Sequence, residues 1–452
     1  MASVRQGANA ARRRYGSVAL IAIGIATARA AAPAPEEVLQ RAIERLRAAT
    51  RAFSRYACTE TVERQYFDGL PASMPGRGPA GPGACTDAAA GGGNAEVRLE
   101  AVDRLRLEVT VSDGREIYSW PGATRFDTRA VSDIIREGPI GTGSFGTHLV
   151  AIFDNPGVAY EFAGEHTEGG RRLFEYRFHV PLDRSQYQLR MGGRLQTIAY
   201  DGSFLLDANS LALLRMTYRA RELPPGSTIC GLGGDLDYSG VQTAGSGFLL
   251  PSNARLYLAF ESGRETANIT TFSECRQYRA ESEIVFDEGA AAPGVAAAPA
   301  QRSSLALPIG LPLRLALDAP IDTATAAAGD PVAARVVQAV RRPGSAEIVI
   351  PAGAEVRGRL TRVERHLLPV PYFLVAMSFN RLDWQGGSSR FAARSEGNPG
   401  VARELGVDLE GQGSGMRHWD QGVFLFPTSK SRYVIPAGYE SKWMTLATRL
   451  RP

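Results

Sequence analysis

Lysine is nearly missing from this chain: Lys430 and Lys442 are the only two in 452 residues, and arginine carries almost all the basic charge. No basic tail is present, which removes the electrostatic case for nucleic acid or an anionic membrane surface as a partner. Apolar runs are short. The run Val18 to Ile25 falls far below the ~20 residues that a bilayer-spanning helix needs, so no transmembrane segment is expected in the mature chain. The five histidines, His148, His166, His179, His366 and His418, are scattered. No H-E-x-x-H, G-x-S-x-G or P-loop occurs, and His166-Thr167-Glu168 lacks the downstream cysteine pair of a zinc deaminase. Nor do any cysteines stand in the close pairs of a structural zinc site. These absences predict a non-enzymatic protein with no catalytic residue, no cofactor and no metal.

What is present begins with an export pattern. Arg12, Arg13 and Arg14 precede the run Val18 to Ile25, and the small-residue sequence Ala28-Arg29-Ala30 follows, so residues 1–30 read as a secretory signal peptide. Its removal takes five arginines and no acids, leaving 46 basic side chains against 47 acidic ones. The expected place is the periplasm or another exported compartment of a bacterial cell envelope. Four cysteines, Cys58, Cys85, Cys230 and Cys275, suit that compartment and predict two disulfides. Three pairings are open. Cys58 with Cys275 is favoured because both lie beside strand-like runs near the ends of the first half, and closing so long a loop is worth ~4–5 kcal/mol in a chain-entropy account.

Residues 288–304, rich in Ala, Pro and Gly, read as a linker between a first domain at 31–287 and a second at 305–452. The fifteen residues Glu288 to Arg302 reach roughly 20 Å on average, so two modules with separate cores can move independently unless Ala/Pro stiffness and an interface hold them. The first module opens with Glu36 and Glu37 and a helical stripe of Val38, Leu39, Ala42, Ile43, Leu46, Ala49 and Phe53. Strands follow. Leu105, Leu107, Val109 and Val111 alternate with Arg104, Arg106, Glu108 and Thr110, while Phe174, Tyr176, Phe178 and Val180 share one face against Glu175, Arg177 and His179. Further alternation at Leu214 to Ala220, Leu256 to Phe260 and Tyr278 to Phe286 gives a long antiparallel meander, wider than one helix can cover.

A helix followed by twisted antiparallel strands, with Gly202-Ser203-Phe204 leading to Asp207 and Leu213-Leu214-Arg215, resembles the periplasmic lipoprotein-carrier superfamily of half-barrels. The resemblance covers about Glu36 to Glu288. It implies a concave apolar cup that takes a lipid or an acylated partner; the excess apolar sheet face points to some of Leu105, Leu107, Val109, Phe174, Tyr176 and Phe178 as its lining, and packing of the same residues on the helix is the alternative. The loop at Pro71 to Gly93, the extra cysteines and the second module depart from that family.

In the second module Leu311, Leu313, Leu315 and Leu317 alternate with polar or small residues, and Tyr372 to Trp384 is a long apolar strand, so a small β-barrel is expected. Val349-Ile350-Pro351-Ala352-Gly353 recurs at Val434-Ile435-Pro436-Ala437-Gly438, and reads as a strand, a tight turn and a strand. Ala319-Pro320-Ile321-Asp322, Gly329-Asp330 and Ile350-Pro351-Ala352-Gly353 resemble the C-terminal barrel of TrbI-like envelope proteins. That likeness implies a structural or assembly factor docking to an envelope protein complex. The fold class expected overall is mainly β with some helix, a curved half-barrel followed by a barrel.

Two motifs reduce to structure. Gly141-Thr142-Gly143-Ser144-Phe145-Gly146 fits G-x-G-x-x-G, but Val131 to Glu137 ahead of it reads as helix and not as the parallel strand that dinucleotide binding requires. A loop between two short helices is expected, capping the cup. Asp322-Thr323-Ala324 is a single loop where an aspartic protease needs two, and reads as a turn.

Overall fold

The computed structural model describes residues 34–51, 56–68, 98–112, 115–123, 126–127, 129–135, 138–191, 194–243, 246–277, 303–304, 307–407 and 421–447. The stretches read as a signal peptide and as a loop at Pro71 to Gly93, with Cys85, the run Tyr278 to Phe286 and most of the stretch read as a linker, lie outside them. Helix α1 (Pro35–Thr50) starts where the sequence provides for it, with Pro35 in the first turn, Glu36 and Glu37 on the positive end of the helix dipole and Arg47 near the other end. It buries Val38, Ala42, Ile43 and Leu46. Removing a large apolar side chain from water contributes about 1.5–3 kcal/mol.

The sheet beneath is antiparallel throughout. Its strands are β1 (Tyr56–Asp68), β2 (Arg98–Ser112), β3 (Arg115–Ser119), β4 (Ala159–Glu168), β5 (Arg171–Val180), β8 (Tyr200–Asp207), β9 (Leu213–Ala220), β10 (Ile229–Thr243), β11 (Ser246–Phe260) and β12 (Glu265–Gln277). A separate hairpin is made by β6 (Gln188–Met191) and β7 (Arg194–Thr197). Pairing runs β4-β5-β8-β9-β10-β11-β12-β1-β2-β3, so the earliest strand sits between the latest one and its own successor. Helices α2 (Val131–Ile134) and α3 (Thr147–Phe153) lie between β3 and β4. Beside α1 they complete a curved half-barrel with a helical cover. Cys58 in β1 and Cys275 in β12 form a disulfide, and Cys230 is disulfide-bonded too.

A barrel forms the second part. Its longer strands are β14 (Pro312–Leu317), β16 (Pro331–Val336), β19 (Glu355–His366), β20 (Tyr372–Trp384), β23 (Gly422–Pro427) and β25 (Glu440–Thr445). Shorter ones, β13 (Ser303–Ser304), β15 (Ile321–Asp322), β17 (Val340–Arg341), β18 (Ile348–Ile350), β21 (Gly387–Arg390), β22 (Ala393–Arg394) and β24 (Val434–Ile435), pin the turns. The pairing is β23-β20-β19-β16-β14-β25-β22, and Ser395 just past β22 donates to the Gln421 carbonyl just before β23 at 2.7 Å, drawing the ends together. Both copies of the Val-Ile-Pro-Ala-Gly repeat end a short strand, at β18 and β24, with positive φ at Gly353 and Gly438. The stretch read as irregular, Asn398 to Gln421, contains a helix, α4 (Pro399–Leu405), that packs on β23.

The two parts have separate apolar cores, yet they are stitched by backbone. On β2, strand β3 covers Glu108 to Ser112, which leaves the same edge of β2 open further along. An open edge is a template for another strand. The barrel supplies it: Glu364 to His366 pair with Ala101 to Asp103, and Ala328 exchanges 2.8 Å backbone hydrogen bonds with Arg104 and Arg106. Arg104 also donates to the Ala324 carbonyl and Arg106 to that of Thr325, each at 2.8 Å, and Arg106 pairs with Asp330. Gly329 adopts φ +105°, and a side chain there would strike the Arg106 carbonyl and come within 2.8 Å of the Trp120 ring. Independent motion of the two parts is therefore opposed by a hydrogen-bonded seam.

Candidate functional site

The six residues expected to line a cup all lie on or beside the core under the helices. Leu105, Leu107 and Val109 arrive from β2, Tyr176 and Phe178 from β5, and these five are buried in one cluster with α1 and with Leu149, Ile152 and Phe153 of α3. Phe174 is partly buried at its margin. The concave face is thus covered by its own helices.

That cover is assembled from pieces. Arg47 of α1 donates to the Phe153 carbonyl at 2.8 Å and pairs with Asp154 at 3.3 Å, which ties α1 to α3. Beneath lies an aromatic layer: Phe153 meets Phe204 edge-on at 5.0 Å between centroids, and Tyr176 stacks on Phe204 at 5.4 Å. Two tyrosine hydroxyls reach up to the cover, Tyr176 to the Pro35 carbonyl at 2.8 Å and Tyr160 to the Ile152 carbonyl at 2.6 Å.

The G-x-G-x-x-G loop sits between α2 and α3, and its amides are occupied from within. The Glu116 carboxylate accepts from Gly143, Phe145 and Gly146 at 2.6, 2.8 and 2.9 Å, and Tyr118 donates to it at 2.6 Å. Clustered backbone N–H groups of this kind make an anion socket. Here the anion is a side chain. Gly143 holds φ +103°, and the His148 ring lies 2.9 Å from where a Cβ would stand. Sequence reading missed Glu116, because a charged residue in a five-residue strand looks solvent-facing. Its parity with Tyr118 was the available signal. Glu60 was missed likewise: it is buried, and burial, reinforced by the Glu116 charge, pushes its carboxyl well above the usual range.

Several polar atoms in this region meet no hydrogen-bond partner among the described residues: His148 Nε2, Tyr200 Oη, Tyr238 Oη, Thr266 Oγ1 and Asn268 Oδ1. Each such atom costs roughly 1–3 kcal/mol relative to a satisfied one. Burial drives His148 from its ordinary 6.5 down to about 4. Between those values the unfolded chain binds a proton that the folded chain refuses, so stability present above pH 6.5 is lost as pH falls toward 4. At ~1.4 kcal/mol per unit the loss approaches ~3 kcal/mol. Urea melts at pH 7, 5.5 and 4 should show His148→Leu gaining stability over the parent as pH falls; parallel curves would mean His148 is not held neutral. Glu60, shifted the other way, affects both proteins equally.

Among the described residues no group of three or more His, Cys, Asp or Glu is placed to hold a metal ion, and no helix is long and apolar enough to cross a membrane. No family profile and no curated protein matches the chain. Solved structures give a faint likeness. A putative outer membrane lipoprotein-sorting protein domain from Vibrio parahaemolyticus is 12% identical, over 55% of this chain and 93% of that one, with a TM-score of 0.26. A LolA superfamily protein from Nitrosomonas europaea is 8% identical, over 54% and 94%, at 0.25. A DUF1329 family protein from Desulfovibrio piger is 10% identical over the same shares, also at 0.25, and likeness at this level says nothing of a shared ligand.

Proposed function

We propose that this chain is an exported, non-enzymatic binding module of the cell envelope. Its concave sheet face takes the acyl chain of a lipid or acylated partner when α1 and α3 move aside. One observation carries the reading: the Tyr200 and Tyr238 hydroxyls, with no hydrogen-bond partner among the described residues, stand in the aromatic core under a cover made of separate helices. An amphiphile offers that core both things it needs. Its hydrocarbon replaces the apolar faces of α1 and α3, and its ester or hydroxyl groups satisfy the orphaned Tyr200 and Tyr238 hydroxyls. The closed form holds those groups at a cost, and occupancy relieves it.

The test is native mass spectrometry with lipid extraction on full-length protein purified from an exporting host, followed by displacement of a fluorescent fatty acid. Phe153→Ala, which thins the cover over Phe204, should raise probe affinity severalfold. Protein free of lipid in every preparation, together with no probe binding by either form, sinks the proposal.

A further inference from the structure

At the seam, a cleft of about 310 Å³ opens between the edge of β2, helix α2 and strand β19. That is the low end of the range for small-molecule sites. Leu105, Trp120, Ile134, Leu360 and Val363 give it apolar walls, and five arginines reach its lining. Four of the five have a carboxylate of their own: Arg64 pairs with Asp103, Arg104 with Glu63, Arg129 with Asp127 and Arg362 with Glu364. Arg359 has none among the described residues. Its guanidinium lies over the Trp120 ring at 5.1 Å, and its Nη1 is buried with no hydrogen-bond partner among the described residues. Burial pushes Arg359 below its ordinary value, with no nearby acid acting against it. Asp133, the one further carboxylate in the lining, is exposed.

A half-buried cation whose Nη1 is cut off from water carries a cost that a counter-charge would offset. The aromatic platform fixes the guanidinium plane and leaves Nη1 as an N–H donor for an oxyanion. The apolar walls exceed what a free inorganic ion would use. We infer that this cleft is a binding site for a small organic anion, an oxyanion on a short apolar body, with the oxyanion on Arg359 and the body against Trp120 and Leu360. The site joins both parts of the chain, since Trp120 follows β3 and Arg359 belongs to the barrel. It shares Leu105 with the concave face, but Arg359, Trp120 and Leu360 lie outside the residues expected to line that face, and the inference stands whether or not that face binds lipid.

Calorimetric titration of the full chain with hexyl phosphate, hexanoate, inorganic phosphate and hexanol tests this. Hexyl phosphate or hexanoate should bind at least tenfold more tightly than hexanol and more tightly than inorganic phosphate; which of the two wins identifies the oxyanion. Arg359→Gln should weaken the better ligand about ten- to hundredfold, the weight of one charge-assisted hydrogen bond. Arg359→Lys keeps the charge and loses the plane on Trp120, and serves if the glutamine variant is unstable. It should lose affinity severalfold. Equal affinity for hexanol and the anions, or unchanged affinity in a folded Arg359 variant, overturns the inference.

Discussion

Replacing Arg64 with leucine should destabilise the protein by about 3–5 kcal/mol, the usual consequence of leaving one member of a buried ion pair alone. The Arg64 guanidinium grips Asp103 with two 2.6 Å hydrogen bonds, and its side chain is only 6% exposed. Asp103 stands directly across the seam from Glu364, whose own bonds to Arg362 measure 2.6 and 2.8 Å. Two carboxylates thus face each other, each held by its own arginine. Burial raises the Asp103 carboxyl, Arg64 works against that rise and Glu364 adds to it. For Glu364 burial also pushes upward, but Arg362 and His366 outweigh it and hold the group well below its usual range. Without Arg64, the Tyr66 hydroxyl at 3.1 Å is the contact that remains for Asp103 among its described hydrogen bonds. Asp103 then rises further, and the folded state keeps a proton that the unfolded chain releases. Stability of the variant falls as pH climbs from the ordinary carboxylate range toward that raised value. The deficit should therefore be larger at pH 8 than at pH 5 in urea melts. The double variant Arg64→Leu, Asp103→Leu should recover most of it. A deficit under ~1 kcal/mol at pH 8 would show that water screens the seam.

The second large effect is expected at Cys58 and Cys275. They are 217 residues apart in sequence and sit on neighbouring strands, beside a register irregularity in which Glu274 takes φ +50°. Changing both to alanine frees the longest loop in the half-barrel. Chain-entropy arguments put the loss at ~4–5 kcal/mol. Thermal unfolding should begin on the order of 10 °C lower, given a few degrees per kcal/mol for a unit of this size. Because β1 lies between β12 and β2, its loosening should be felt on both sides, and amide exchange in β12 should accelerate more than in β5. Equal exchange in the two strands would contradict a local staple.

Alternation told the truth about strands: Leu105, Leu107 and Val109 do face the core, and so do Tyr176 and Phe178. Helix α1 was readable from its stripe and its first-turn acids. What alternation cannot say is what lies on the other face. Arg104 and Arg106 look like solvent-facing residues in any period-two pattern, and in the structure they hold the carbonyls of a loop more than two hundred residues away. The Ala-rich linker left open whether an interface holds the two parts, because linker composition reports reach and not docking. The seam rests on backbone at the open edge of β2, and no side-chain pattern encodes that edge. The cover over the concave face was half legible. The glycine loop was placed correctly between two short helices, but the acid that fills its socket lies before it in the chain and enters only through the fold.

The position of β1 also has a consequence in time. The chain leaves the ribosome or a translocation pore from its N-terminus, so Cys58 emerges early while its partner in β12 is among the last parts of the half-barrel to appear. Cys85 is the next thiol in line, and Cys230 follows before Cys275. In an oxidising compartment the first bond open to Cys58 is therefore not the one found in the folded protein. Where Cys58 pairs before β12 arrives, reaching the native bond requires thiol–disulfide exchange, and maturation is then sensitive to the isomerase supply of the host.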